Sequence, residues 1–182
     1  MADITADALA SGSRKAGSGP DSAAGEPLWD LIELLFFAYR DFVGDADEVL
    51  AKFGFGRAHH RVLHFVYRHP GMKVADLLEI LNITKQSLGR VLKQLVDEGY
   101  VFQKEGEEDR RQRLLFLTPK GEALALKLAG LQTERISRAL TDYGPNAHEA
   151  ARRFLASMIE ADSRDGVLRL IARADRARKP RS

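Results

Sequence analysis

No cysteine occurs among the 182 residues, so disulfides, thiolate zinc sites and cysteine-based redox sensing are excluded. No apolar run reaches membrane-spanning length, and the first residues lack the basic-then-apolar layout of a secretion signal. A cytoplasmic protein with no membrane partner is therefore expected. Reactive constellations are missing too. There is no nucleophile–base pair, no glycine-rich phosphate loop and no metal quartet, so neither an enzyme nor a cofactor is expected. Charge of one sign is scarce overall, with a net of only +2, but it is unevenly spread. Residues 1–50 hold ten acids against three bases, which leaves +9 for residues 51–182. A basic face displaced toward the middle and C-terminal parts suits a polyanionic partner.

One further absence is local: no acid stands between Thr84 and Val96. Thr84 is a good helix N-cap, its hydroxyl able to take a free backbone N–H of the first turn. Beyond it Leu88, Val91, Leu92 and Leu95 share one face at helical spacing, which marks that face as buried. Gln86, Arg90 and Lys93 fall opposite, with Lys85 beside them and Ser87 in the first turn. Amides and guanidinium groups read base edges and cations pair with phosphates, so this exposed face suits a DNA major groove. For this helix taken alone, a solvated polar face is the competing reading.

The flanking elements narrow the choice. Residues 1–26, rich in Ala, Gly, Ser and Asp, have too little apolar surface to offset the entropy of ordering and are expected to be a disordered extension, with a short helix possible around Ile4 to Leu9. Pro27 suits a first turn, and an unusually apolar helix is expected over 28–43, wider in its apolar surface than one core face needs. Breaks are expected at 44–47 and 53–56, then helices over 57–69 and 74–81, the latter leading through a tight turn into the Thr84 helix. This is a helix-turn-helix. Gly99 is expected to cap its second helix. Strand-like runs at 100–104 and 114–117 follow, enclosing a tip in which three consecutive acids at 107–109 lead into Arg110, Arg111 and Arg113. Asp109 paired with Arg111 is expected to hold that guanidinium in one rotamer, aimed at a narrow minor groove. A surface loop with compensating charges is the bland alternative. Pro119 fits the start of a long helix reaching about Asp142. Asn146 with Glu149 then looks like a capping pair opening a last helix to about Ala172. Residues 173–182 read as a basic tail.

Asp109-x-Arg111, then five residues, then Leu117-Thr118-x-x-Gly121 resembles the wing signature of the MarR family of bacterial transcription regulators. Ile83-Thr84-Lys85-Gln86-Ser87, with Leu92, Leu95 and Gly99-Tyr100-Val101, is similar to that family's recognition helix and its exit. The resemblance spans roughly residues 55–125. It implies a mainly α fold with a small β-hairpin wing: one domain over 27–172, with a winged helix-turn-helix at about 55–118 and dimerisation helices at 27–43 and 119–172. It further implies a homodimer on a palindromic operator of double-stranded DNA. Carried over position by position, Arg111 becomes the minor-groove arginine and Asp109 its orienter, while Lys85, Gln86, Ser87 and Arg90 face bases or phosphates. Gly89 departs from the family's pattern, and the missing cysteines exclude the thiol-oxidation switch of one branch.

The expected function is a DNA-binding regulator, most often a repressor in this family, modulated by a small ligand. The expected pocket lies between the dimer helices and the DNA-binding lobe, with Trp29, Phe36, Tyr39, Arg40, His60 and His64 as candidates. His60 and His64 are four apart, but no acid or third ligand accompanies them, so no metal is expected. A winged module that has become a protein-interaction or dimerisation unit is the competing reading. The acid-free exposed face weighs against it.

Overall fold

The computed structural model describes residues 25–106 and 109–178, the side chain of Arg178 excepted. The expectations for residues 1–24, for Glu107 and Glu108 and for residues 179–182 lie outside the described residues. In chain order the elements are α1 (Trp29–Ala51), α2 (Arg57–Arg68), β1 (Met72–Lys73), α3 (Val74–Leu81), α4 (Lys85–Asp97), β2 (Val101–Glu105), β3 (Arg113–Leu117), α5 (Pro119–Thr141), α6 (Ala147–Ser157) and α7 (Ala161–Arg178). The architecture is mainly helical with a three-stranded antiparallel sheet in the order β1-β3-β2.

One core organises these elements. Leu50 of α1, Val62, Leu63 and Val66 of α2, Leu77 and Leu81 of α3, Leu88 and Leu95 of α4, Leu115 of β3 and Leu128 of α5 are all essentially inaccessible to water. The apolar positions at helical spacing in α3 and α4 therefore lie where their period requires. β1 escapes sequence reading because two residues carry no period. It forms because Gly71, at φ +80°, turns the chain so that its N–H donates to Leu115 O at 2.8 Å, putting Met72 opposite Leu115.

Four expectations need correction. Residues 44–47 are no break: α1 runs straight through them. Gly44 costs helix propensity there, but continuation buries Ala46 and Leu50 completely. It also lets Asp45 accept from the Arg135 guanidinium at 2.8–3.1 Å and Asp47 from Arg57 at 2.8 Å. The single last helix is two helices. Arg164 folds back to donate to Ser157 O at 3.0 Å and Ile159 O at 2.8 Å, satisfying carbonyls at the end of α6. Asn146 makes no side-chain cap. At ψ 3° its backbone is not extended, and the Ala147 N–H instead donates to Gly144 O at 3.1 Å. Residues 173–178, read as tail, continue α7, with Ala174 buried and Asp175 accepting from Arg68 of α2 at 2.5 Å.

The junction between α4, the wing strands and α5 is tight. Thr118 caps α5 by accepting from the Gly121 N–H at 3.1 Å, while its hydroxyl donates to Gly99 O at 2.7 Å and its N–H to Tyr100 O at 3.0 Å. A Cβ on Gly121 would collide with the Tyr100 carbonyl. Gly121→Ala should therefore destabilise the fold by about 2–3 kcal/mol in chemical denaturation, as overpacked sites do. Gly130→Ala, on the exposed side of α5 with open space around it, should instead stabilise. Equal effects of the two would refute the tight junction.

Candidate nucleic-acid interface

Thr84 accepts from the Ser87 N–H at 3.1 Å and donates its own hydroxyl proton to Ser87 Oγ at 2.9 Å, so both hydroxyls build the start of α4. Asn82 ahead of it takes the left-handed conformation at φ 48°, the sharp turn between α3 and α4. With Leu88, Val91, Leu92 and Leu95 buried, Lys85, Gln86, Gly89, Arg90 and Lys93 are left exposed. These divide into two stripes. Lys85, Gly89 and Lys93 line a groove facing the wing, whereas Gln86 and Arg90 lie outside it.

That groove holds about 900 Å³. Its walls are α4, the β1–α3 junction and the wing, and its cations are Lys73, Lys85, Lys93, Arg111 and Arg113, with Asp76 as the acid among its lining residues. Lys73, missed by sequence reading, arrives there through β1, whose pairing with β3 sets Lys73 opposite Leu114. Lys93 pairs with Asp97 one turn on, and Arg113 Nη1 lies 2.8 Å from Glu105 Oε1. Both pairs are exposed and exchange cheaply for a phosphate.

Asp109, Arg110 and Arg111 are all exposed at the wing tip. The structure gives Asp109 a different task from the one expected of it. Its carboxylate accepts from the Arg111 backbone N–H at 2.9 Å and weakly from Gln112 Nε2 at 3.4 Å, not from the guanidinium. An acid bonded to the backbone two residues on is an Asx turn. Asp109 thus shapes the loop that carries Arg111, whose side chain is exposed along the groove.

His59, another residue that sequence reasoning left without a role, supports α4 from behind. Its ring stacks on Phe55 at 4.8 Å, accepts from the Gly56 N–H at 3.1 Å through Nδ1, and so donates through Nε2 to Gln94 Oε1 at 2.9 Å. Gln94 in turn donates to Glu98 Oε1 at 2.9 Å.

A second cavity of about 290 Å³ lies between α1, α2 and α5. Tyr39, His60 and His64 line it, joined by Arg57, Arg61 and Gln132, which the sequence did not single out. Trp29, Phe36 and Arg40 do not line it. They project from the exposed half of α1, where Arg40 pairs with Asp41 at 2.8 Å. Among the described residues no three His, Cys, Asp or Glu side chains gather as a metal site, and no helix is long and apolar enough to cross a membrane.

Burial pushes the His60 imidazole below its ordinary value of 6.5, against a smaller upward pull from Asp47. The unfolded chain therefore takes up this proton at a higher pH than the folded one. The stability contributed by a neutral His60 is complete above pH 6.5 and is lost as pH falls below it. His69 is lowered as well, by burial and then by Arg68 and Arg173. Melting temperatures followed from about pH 8 down to about pH 5 should fall less steeply in His60→Gln than in the parent. An unaltered slope would place the acid sensitivity elsewhere.

Comparison with known proteins gives consistent likenesses. A model of the MarR family matches residues 53–112. The HTH-type transcriptional regulator PetP of Rhodobacter capsulatus is 44% identical over 135 residues, which is 74% of this chain and 81% of that protein. In fold, the chain is similar to a MarR transcriptional regulator from Methanosarcina mazei, with a TM-score of 0.60 at 24% identity over 74% of this chain and 90% of that one. It is likewise similar to MepR in the S. aureus MepR–DNA complex, with a TM-score of 0.58 at 18% identity over 74% and 97%.

Proposed function

The chain belongs to the MarR family of winged helix-turn-helix, DNA-binding transcription regulators, and from that premise we propose that it acts as a homodimeric repressor of palindromic operators, released by a small ligand. The observation that carries the DNA reading is the cationic groove between the Lys85–Lys93 stripe of α4 and an arginine-tipped wing. A helix in a major groove and a wing in the neighbouring minor groove have one DNA strand between them. The groove is where that strand passes. Gln86 and Arg90 then face base edges, while Lys73, Lys85 and Lys93 meet phosphates and Arg111 enters the minor groove.

Homodimerisation rests on the uncovered apolar surface of α1. Phe36 is 70% and Trp29 59% exposed, with Leu31, Ile32, Leu34, Leu35, Phe37 and Tyr39 beside them, and Phe154, Leu155 and Met158 of α6 and its C-terminal end are exposed too. A helix of this composition does not stay in water, and pairing two copies buries the surface on both at once. Two-fold symmetry sets the two recognition helices about 34 Å apart, one duplex turn. A ligand in the cavity beside Tyr39, His60 and His64 sits between α1 and α5 on one side and α2 on the other. There it shifts the spacing of the two heads and so their fit to DNA.

Arg111→Ala should weaken binding to a duplex selected from a random pool at least tenfold without altering the melting temperature. It should also lower the slope of log affinity against log salt by about one, the loss of one phosphate-type contact. Salt-independent binding, or none at all by the parent, would favour a protein-interaction module instead. Phe36→Glu should give a monomer by sedimentation and abolish tight binding to the palindrome. A variant that stays dimeric would move the interface off α1.

A further inference from the structure

Gly89 occupies the middle of α4, where glycine is a poor helix former. Two structural reasons normally retain glycine inside a helix, and neither applies. Its φ is not left-handed, unlike those of Gly71 and Gly99. A Cβ added at Gly89 meets no atom within 4 Å, unlike one at Gly121. What this residue does have is a place in the groove, midway between Lys85 and Lys93 on the same stripe, one turn from each and facing Arg111 and Lys73 across the opening.

We infer that Gly89 is a seat for the sugar–phosphate backbone of the DNA strand that passes between α4 and the wing, an inference that rests on the DNA reading above. With no side chain at 89, the phosphodiester lies directly against the helix between two ammonium groups. Charge–phosphate attraction grows as the separation falls and as water leaves the gap. A methyl group at this point lifts the strand off both lysines and off Arg111 together. Gly89 is thus a positioning residue that sets the depth of docking. Base reading stays with Gln86 and Arg90 on the neighbouring stripe.

The test is Gly89→Ala in the full-length protein. Its melting temperature should rise by about 2–4 °C, because alanine suits an exposed helix interior better than glycine. Affinity should drop about tenfold both for the duplex selected from a random pool and for a mixed-sequence duplex of the same length, since a phosphodiester seat is blind to sequence. Gly89→Leu should lose more. A lowered melting temperature in Gly89→Ala would overturn the seat by showing that the fold itself needs glycine. A loss confined to the selected duplex would overturn it in favour of base contact. Lys85→Ala and Arg111→Ala are measured alongside. If they weaken binding while Gly89→Ala does not, the seat alone is overturned. If all three bind like the parent, the DNA reading of the groove falls with it.

Discussion

The contact on which the rest of this structure depends is the meeting of the α5 N-terminus with the chain leaving α4. Three consecutive carbonyls are held there by two residues, the N-cap Thr118 and Lys120 in the first turn of α5. Lys120 Nζ donates to Glu98 O at 2.9 Å, the Thr118 hydroxyl to Gly99 O at 2.7 Å, and the Thr118 N–H to Tyr100 O at 3.0 Å. Lys120 also stands over the Tyr100 ring at 4.0 Å. Orphan carbonyls at the end of one helix and orphan N–H groups at the start of the next are satisfied in a single joint. The joint closes only because residue 121 has no Cβ. Turning the helix that carries the proposed reading face would disturb its joint with α5, which in turn packs on α1 and pairs Arg135 with Asp45.

In the proposed regulation, this joint is what links α4 to the cavity between α1, α2 and α5. The cavity borders both sides of the frame on which α4 rides, and its polar lining of Arg57, His60 and Gln132 is mixed with Tyr39 and Phe65. Under the proposed regulation, a ligand there would act on α4 by displacing the elements that hold it, with no need to touch the DNA-binding face. Differential binding to two spacings of the reading heads is all that regulation requires. His59 of α2 adds a second tie nearby, to Gln94 in the last turn of α4.

Legibility followed the reach of each interaction. The α4 N-cap at Thr84, its four buried positions and the bounds of α3 were readable because capping and helical periodicity involve residues no more than a few apart. The wing hairpin was readable for the same reason, from two strand-like runs around a turn-forming tip. The role of Asp109 was misjudged although its partner is two residues away. Opposite charges suggest an ion pair, but a carboxylate that near the start of a tight loop finds the backbone N–H first. The break placed at 44–47 failed because glycine and aspartate suggest a turn only when nothing distant rewards continuation. Here Arg135, ninety residues further on, does so. The split between α6 and α7 was hidden for another reason, the apolar period running on through a bend that Arg164 stabilises locally.

By itself the sequence determined the buried stripe and cationic face of α4, the arginines of the wing and the apolar excess of α1, because each is a local pattern that survives in any arrangement of the whole. It also determined that thiol chemistry plays no part. Only the tertiary structure decided that Lys73 joins the groove, that Gly89 rather than Arg90 faces the wing, and that Arg57, Arg61 and Gln132 share a cavity with His60. Those placements depend on how elements far apart in the chain are rotated and spaced against one another. That rotation is fixed by packing the common core, which no stretch of sequence specifies alone.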